Sequence, residues 1–417
     1  MPMIKSILGI YFEELHDTDN FDAPPADVSA VMNAGATVIK IGPSFVKAVE
    51  AAYRWPQATI IYRNIGQLEE IMEGWKPENG KTPEEAVAHW IAAFKEVCPK
   101  FVNNHTARNL PNIRYCGAFN EWGDWPNLGW YDKFETLRIK ALADLGCLTL
   151  TGFWSAEVRL WEPIPGDNKT KVQRLANSLI TAADEGAWLD HHLYNGPTLR
   201  DKGHLPGTDI PLNDDQDFMF AYRAIRQECK RLNIPCPDIF CGELGEDVII
   251  YPSVDSNHPA KPLKGWKAAG YSRANYTRDL FSVADEMWLD GVMGVVVFYD
   301  QRRWDDEYNI SFGGKPKDND PSVALRIAAE IAQRPYKPGP TGQPRPDLPP
   351  VPEEPKGERT VTILSFVNHR DLPTINSKYR GRTEAGETLV IIGNVSNGYV
   401  QEKYYGFWVL AANLKGV

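Results

Sequence analysis

The chain has few cysteines for its length, and none has the spacing of a metal site or a disulfide framework. Six cysteines occur in 417 residues, and no two of them form a Cys-x-x-Cys pair. Cys116 and Cys241 lie inside apolar runs, so we interpret them as small core residues rather than disulfide partners. The chain also lacks H-E-x-x-H and other close ligand spacings. The sequence therefore predicts no metal site.

The chain also lacks long apolar runs and an excess of basic residues. These two absences argue against a membrane and against nucleic acid as partners. No apolar stretch is long enough to span a membrane, so no membrane partner is predicted. The N-terminus has no basic segment followed by an apolar one, so no signal peptide is predicted. The formal net charge is −10. Because binding to phosphates needs a basic field, this charge argues against nucleic acid as a partner.

The dominant pattern is an apolar, β-branched run followed by an amphipathic stretch, repeated about eight times. Hydrophobic residues make up 43% of the chain and charged residues 24%, so a large core is feasible. The predicted strands are Ser6–Phe12, Thr37–Ile41, Thr59–Arg63, Ile113–Phe119, Leu148–Phe153, Leu189–Leu193, Ile239–Gly242 and Gly294–Tyr299. The predicted helices are Ala26–Asn33, Val46–Tyr53, Pro83–Val97, Tyr131–Leu145, Lys171–Glu185, Asp215–Leu232, Tyr276–Leu289 and Ser322–Gln333.

This alternation predicts parallel strands joined by right-handed crossovers. Eight such units favour a closed (β/α)8 barrel, of the α/β class, over residues 1–334. An open doubly wound sheet is the alternative topology. That topology usually has a glycine-rich phosphate loop after its first strand, and neither G-x-G-x-x-G nor a P-loop occurs here.

The composition changes after Arg334. Residues 335–358 are rich in proline and poor in apolar residues, which is typical of an extended, semi-rigid linker. Residues 359–417 have short strand patterns separated by turns, which predicts a small all-β domain. This tail has seven basic and four acidic residues, a net charge of +3. A solvated surface or attachment to an anionic polymer would each explain that charge.

Polar and aromatic residues lie at or near the carboxyl end of every predicted strand. In a parallel barrel the carboxyl ends of all strands meet at one end, where such enzymes carry out their chemistry. A purely structural barrel would not need so many ionisable groups there. The residues are Glu13, Glu14, Lys40, Arg63, Asn64, Asn120, Glu121, Trp154, Glu157, His191, His192, Tyr194, Asn195, Glu243, Glu246, Tyr299 and Asp300.

A carboxyl lies at the end of the fourth predicted strand, in Asn120-Glu121, and another at the end of the seventh, in Gly242-Glu243-Leu244-Gly245. With His192-Leu193-Tyr194 on the sixth strand, this order resembles clan A of the glycoside hydrolases. Its cellulase-like members are barrel enzymes that retain anomeric configuration. Arg63 matches the barrel arginine of that clan, here on the third strand.

The resemblance implies a role for each matched residue. Glu121 would be the general acid and base, and Glu243 the nucleophile, with the two carboxyls about 5–5.5 Å apart. Asn120 would bind the sugar 2-hydroxyl. Tyr194 and Arg63 would keep Glu243 ionised. His192 would face the pocket and His191 the barrel wall, or the reverse, because neighbours on a strand point in opposite directions.

Aromatic residues near these strand ends are candidates for stacking against sugar rings. Trp122 and Trp154 follow the fourth and fifth strands, and core packing and sugar stacking are both open for them. Clan A usually has a tryptophan after strand eight. This chain has Tyr299 there, with Trp304 later, and either could replace it.

The tail resembles a bacterial Src-homology-3-type domain, a small β-barrel that often holds hydrolases on cell walls. The matching segments are Val367-Asn368-His369-Arg370, Pro373, Gly386, Gly406-Phe407-Trp408-Val409 and Leu414. A β-module that merely packs on the barrel is the alternative.

Together these features predict a retaining glycoside hydrolase that cleaves β-glycosidic bonds of a polysaccharide or cell-wall glycan. No cofactor is required, and we expect a monomer. We expect an extracellular or wall-acting protein, with a cytoplasmic location possible. The alternatives are a lysin that degrades peptidoglycan, a barrel that binds sugars without cleaving them, and a metal-dependent barrel hydrolase.

Overall fold

In the computed structural model, eight parallel strands close into a barrel in which neighbours along the chain are neighbours in space. This confirms the predicted (β/α)8 architecture. The structure describes residues 3–15, 17, 21, 27–103, 105–120, 122, 125–155, 159–164, 166–195, 218–246, 249–250, 263–264, 266, 271–300 and 322–342, with the backbone of seven strands between 359 and 415. The barrel strands are β1 (Leu8–Leu15), β2 (Val38–Pro43), β3 (Thr59–Tyr62), β4 (Ile113–Tyr115), β5 (Leu148–Ser155), β6 (Trp188–Asn195), β7 (Ile239–Glu246) and β8 (Val295–Asp300).

Helices surround this barrel. They are α1 (Asp27–Ala34), α2 (Phe45–Arg54), α3 (Pro83–Val97), α4 (Leu128–Asp144), α5 (Lys171–Arg174), α6 (Ala176–Asp184), α7 (Tyr222–Leu232), α8 (Arg273–Leu289) and α9 (Val323–Gln333). α3 begins where its sequence predicts, because Thr82 and Glu85 form a reciprocal capping box and Pro83 occupies the first helical position. The helix predicted over Lys171–Glu185 is instead two helices, α5 and α6, which meet at Leu175.

Side chains along each strand point alternately outward and inward. They therefore form two hydrophobic clusters, one between the barrel and the helices and one inside the barrel. On β2, Ile39 and Ile41 point outward into the cluster shared with the helices. Val38 points inward, where it joins the cluster that fills the barrel. Lys40 has the same parity as Val38, so a cation lies among apolar interior side chains, without any exposed surface. A buried cation requires a partner, and its partner is at the carboxyl end of the barrel.

The first compact unit of the chain runs from Met1 to Arg345 and the second from Pro346 to Val417. Residues 335–342, inside the predicted linker, belong to this first unit. Lys337–Pro338 pairs antiparallel with Met3–Ile4, and the Trp288 indole donates to the Pro338 carbonyl at 3.2 Å. Residues 343–358 of the predicted linker lie outside the described residues.

The second unit contains seven strands in one sheet, with antiparallel pairs throughout the described backbone. The strands are Arg359–Ile363, Val367–Arg370, Tyr379–Thr383, Thr388–Ser396, Tyr399–Glu402, Trp408–Leu410 and Leu414–Lys415. The predicted Src-homology-3-type fold of this unit stays a prediction. Among the helices that the structure describes, none combines the length and the apolar character that crossing a membrane requires.

Candidate active site at the carboxyl end of the barrel

Glu243 lies at the end of the barrel where the strands terminate, and its carboxyl is surrounded by hydrogen-bond donors. Its Oε1 accepts from Arg63 Nη1 at 2.7 Å and from Lys40 Nζ at 3.3 Å. Its Oε2 accepts from the Tyr194 hydroxyl at 2.7 Å, and His192 Nδ1 is 3.4 Å away. Only 8% of the side chain is exposed. Glu243 is therefore a nearly buried carboxylate with four polar neighbours.

These neighbours determine the charge of Glu243. Burial alone would raise the pKa of its carboxyl, because a poorly solvated site disfavours the charged form. The nearby charges of His192, Lys40 and Arg63 outweigh this effect, as does the hydrogen bond from Tyr194. The pKa of Glu243 is consequently held well below its usual range. Glu243 is an anion at neutral pH, as a nucleophilic carboxylate must be.

Arg63, directly after β3, joins the ends of three strands. Besides Glu243 it contacts Asn120, with Nη2 donating to Oδ1 at 2.9 Å. Glu69 accepts from its Nε at 2.8 Å and from its Nη2 at 3.0 Å. Asn120, which follows β4, is exposed. Arg63 therefore brings the polar ends of β4 and β7 together, as the sequence predicted for Asn120 and Glu243.

Glu69 is placed by one turn of π-helix over Ile65–Glu69. Asn64 caps this turn, since its side chain accepts from the Gln67 amide at 2.9 Å. The turn directs the Glu69 carboxylate back onto Arg63, which fixes the guanidinium in one orientation. Burial alone would lower the pKa of Arg63, but Glu69, Tyr11 and Glu243 raise it well above its ordinary value.

Position 245, after Leu244 in the Gly-Glu-Leu-Gly segment, requires glycine for a steric reason. A Cβ on Gly245 would lie 2.8 Å from Cε1 of Tyr194, closer than real Cβ contacts allow. Gly245 pairs with Tyr194 in the register of β6 and β7. The absent side chain lets the tyrosine ring lie over the backbone and deliver its hydroxyl to Glu243.

The two adjacent histidines of β6 face opposite ways, as the strand pleat predicted. His192 pairs in register with Glu243 and is the one that faces its carboxyl. His191 pairs in register with Trp154 and is also buried. Of the two, His192 is therefore the one that belongs to the site.

Trp122 and Trp154 are in the core. Trp154 is 1% exposed and meets the Tyr131 ring edge-on, with centroids 5.2 Å apart. Trp122 is 4% exposed and stacks on Trp130 at 5.7 Å. Neither ring presents a face to solvent. Of the two roles that the sequence left open for them, the structure shows core packing rather than sugar binding.

Three residues with a predicted role in the site lie where the structure gives no side-chain geometry. Glu121 and Trp304 are outside the described residues, and only the backbone of Tyr299 is described, within β8. The predicted separation of the two carboxyls therefore stays a prediction.

Two contributions were not predicted. Lys40 was recognised as a polar residue at the end of a strand, but its contact with Glu243 was not. Glu69 had no sequence signal, because its position depends on the path of the turn after β3. For Lys40, a lysine inside an otherwise apolar run is a sequence signal, because a buried cation needs an anion nearby.

Within the described ranges, no three His, Cys, Asp or Glu side chains come together in a way that could hold a metal ion.

The fold has counterparts among solved structures, although neither a family model nor a curated protein matches the sequence. A family 39 glycoside hydrolase from the gut symbiont Bacteroides cellulosilyticus WH2 has a TM-score of 0.50 and 12% identity, over 97% of this chain and 79% of that one. At this identity the similarity shows the barrel fold.

Weaker similarities involve the same kind of enzyme. A GH5-4 broad-specificity endoglucanase from Ruminococcus champanellensis, solved with bound cellotriose, has a TM-score of 0.43 and 11% identity, over 75% of this chain and 86% of that one. A GH5 family lichenase from Caldicellulosiruptor sp. F32 has a TM-score of 0.41 and 12% identity, over 79% of this chain and 94% of that one.

Proposed function

We propose that the chain is a retaining glycoside hydrolase that cleaves β-glycosidic bonds of a polysaccharide by double displacement. Glu243 is the nucleophile and Glu121 the general acid and base. The observation that carries the proposal is the environment of Glu243, an ionised carboxylate at the reactive end of a barrel, contacted by Arg63, Lys40 and Tyr194.

The contacts also select the attacking atom. Oε1 accepts from the Arg63 and Lys40 cations, which draw its electron density away. Oε2 accepts from the Tyr194 hydroxyl, with His192 Nδ1 3.4 Å away, and we assign it as the attacking oxygen. As Oε2 bonds to the anomeric carbon and the leaving-group oxygen takes a proton from Glu121, a covalent glycosyl-enzyme ester forms. Water, deprotonated by Glu121, then attacks the same carbon and releases Glu243 as a carboxylate.

Asn120 supports this assignment from the acid/base side. It precedes Glu121 in the chain and shares Arg63 with the nucleophile. In the proposed complex its exposed amide binds the sugar 2-hydroxyl, and this hydrogen bond strengthens as positive charge develops on the ring. A separation of about 5–5.5 Å between the two carboxyls belongs to this mechanism, since inversion needs about 6.5–9.5 Å for a water.

The proposed substrate is a polysaccharide or a cell-wall glycan. On this view the tail, with its net charge of +3, holds the enzyme on an anionic polymer, and the enzyme acts outside the cell. Tyr299 and Trp304 are the proposed aromatic contacts of the bound sugar.

The test is reducing-end release on glucans, mannans, chitin and purified cell walls, with Glu243→Gln as the inactive control. On the polymer that is cleaved, proton NMR of the first product formed reports its anomeric configuration. Retention supports the proposal, and initial formation of the inverted anomer contradicts it.

Other outcomes would identify the alternatives. Release from cell walls alone, with peptidoglycan fragments in the product, indicates a lysin. Binding to a polymer without release by any concentration of enzyme indicates a barrel that only binds sugars. Loss of activity with a chelator, restored by a divalent cation, indicates metal-dependent hydrolysis.

A further inference from the structure

A second carboxyl lies inside the barrel, behind Glu243, and the proposed mechanism does not use it. Asp190 of β6 pairs in register with Phe240 of β7, whose ring belongs to the interior cluster. Asp190 has no exposed surface. Among the described residues, neither oxygen of its carboxyl has a hydrogen-bond partner. Such an arrangement is costly for a charged group, so its presence needs an explanation.

Asp190 and Lys40 meet at the peptide unit that precedes Glu243. A Cβ on Gly242 would lie 2.0 Å from Asp190 Oδ1 and 2.4 Å from Oδ2, so only glycine fits against this carboxyl. On the same unit, Lys40 Nζ donates to the Gly242 carbonyl at 3.0 Å. The ammonium therefore lies near two carboxyls, and it forms an ion pair with Glu243 at 3.3 Å.

Several elements contribute titratable or charged groups that face Asp190. They are Lys40 of β2, Arg63 after β3, Cys116 after β4, His192 of β6, and Cys241 and Glu243 of β7. Of the charged groups, Lys40 acts on Asp190 most strongly.

In this interior, hydrogen bonds join the Arg63 and Lys40 cations to two carboxylates, and His192 also faces Glu243. Arg63 donates to Glu69 and to Glu243, and Lys40 donates to Glu243. A third carboxylate here would be a buried anion without a donor, which favours the neutral acid. Burial accordingly raises the pKa of Asp190.

We propose that Asp190 stays a neutral carboxylic acid, so that Lys40 keeps its ion pair with Glu243. Lys40 is then the residue that positions the nucleophile and keeps it ionised. This inference rests on the proposed role of Glu243. An ionised Asp190 would compete for the ammonium and draw it from Oε1. The neutral acid fills the space beside Gly242 and leaves the cation where it is.

Lys40 then contributes to both steps of the reaction. Before attack it keeps Glu243 ionised. In the glycosyl-enzyme ester Glu243 has lost its charge, while Lys40 and Arg63 keep theirs with Glu69 as the remaining partner anion. The unbalanced cations stabilise Glu243 as the departing carboxylate, which favours hydrolysis of the ester.

Two spectroscopic measurements test the proposal without depending on turnover. The first is the infrared difference between wild type and Asp190→Asn at pH 7. We expect the carbonyl band of a protonated acid in the wild type, absent from the variant. A carboxylate band in its place would overturn the proposal.

The second measurement is the pH titration of the Glu243 carboxyl by carbon-13 NMR, assigned with Glu243→Gln, in wild type, Lys40→Met and Lys40→Gln. We expect Lys40→Met to raise the pKa of Glu243 by about 1–3 units, the size of effect that a close opposite charge has. Lys133→Met, which removes an exposed lysine of α4, is the matched control and leaves the titration unchanged.

Either neutral replacement of Lys40 can be used. If Lys40→Met does not fold, the titration of Lys40→Gln gives the result. An unchanged titration in a folded Lys40 variant would overturn the positioning role. The acid limb of kcat/KM should move by the same amount as the NMR titration. If the glycan panel gives no activity, the proposed function fails while both spectroscopic results stand, so the two failures are distinguishable.

Discussion

Two of the buried arginine–glutamate pairs in the described part of the chain look alike and differ in which other groups they contact. Arg138 and Glu135 of α4 have no exposed surface and are joined by two hydrogen bonds of 2.8 Å. Arg63 and Glu69 are 5% and 6% exposed and are joined at 2.8 and 3.0 Å. Only the second arginine has another carboxylate, Glu243, at 2.7 Å.

The remaining contacts of the first pair are structural. Arg138 also donates to the Thr149 hydroxyl and the Leu150 carbonyl of β5, and Glu135 accepts from the Thr151 hydroxyl. All of these partners lie between the helix layer and the barrel wall. The pair fastens α4 to β5.

The second pair reaches the reactive end of the barrel. Arg63 continues to the exposed Asn120, and Glu243 has a second cation in Lys40. The comparison teaches that burial of an ion pair does not by itself mark a catalytic site. The informative feature is a carboxylate at the carboxyl end of the strands that contacts more cations than are needed to balance its charge.

The largest expected effect separates Glu243 from Glu135. Glu243→Gln removes the proposed nucleophile and should lower kcat by more than about a thousandfold on the best polymer of the panel. Glu135→Gln should keep the kcat of its folded fraction, because Glu135 lies in the wall. Steady-state kinetics with the folded fraction measured by circular dichroism makes the comparison. Equal loss of kcat in the two variants would show that both act through the fold.

Stability should separate the two pairs in the opposite direction. Glu135→Gln leaves the Arg138 charge buried without its counterion, which should cost about 3–5 kcal/mol of unfolding free energy. Glu243→Gln should cost less, since Arg63 keeps Glu69 and Lys40 can take Asp190 as its counterion once that carboxyl ionises. Denaturant unfolding at pH 7 gives both values. A larger loss in Glu243→Gln would contradict the distinction between a fastening pair and a catalytic one.

Tyr194→Phe removes a hydrogen bond that the charged Glu243 accepts. Such bonds contribute about 1.5–3 kcal/mol, so kcat/KM should fall about ten- to a hundredfold. Tyr131→Phe is the matched control, because its hydroxyl also makes one buried hydrogen bond, to the Gly152 carbonyl at 3.0 Å. This control should lose stability but not kcat/KM. Full activity in Tyr194→Phe would remove Tyr194 from the site.

The smallest effect is on the pH dependence of stability. Because the folded-state pKa of Glu243 is lowered, its stabilising contribution is present above the unfolded pKa, about 4.3, and is lost as pH falls through the folded value. Between these two values the unfolding free energy of the wild type should fall by about 1.4 kcal/mol per pH unit more steeply than that of Glu243→Gln. Parallel curves in acid would show that the Glu243 pKa is ordinary.

The sequence predicted the barrel because its strands are buried on both faces and appear as continuous apolar runs between amphipathic helices. It was less accurate at the ends of the strands. β7 was predicted to end at Gly242, yet it continues to Glu246, because pairing with β6 extends through Gly245 despite the low strand propensity of glycine.

The same reasoning explains which site residues were predicted. Arg63, His192 and Tyr194 follow from strand ends and alternation, which are local properties. Asp190 and Lys40 depend on which interior side chains meet across the barrel, and no spacing in the sequence encodes that meeting. Their only local signal is a charged residue within an apolar strand.

The central claim, that Glu243 forms a covalent bond to the sugar, is tested most directly by trapping. Incubation with activated 2-deoxy-2-fluoro-β-glycosides of glucose, mannose and xylose, followed by proteolysis and mass spectrometry, locates any attached sugar. We predict one fluorosugar on the peptide that contains Glu243, with none on Glu243→Gln. A label on a different carboxylate, or continued hydrolysis of the glycan without a label on Glu243, would contradict the claim.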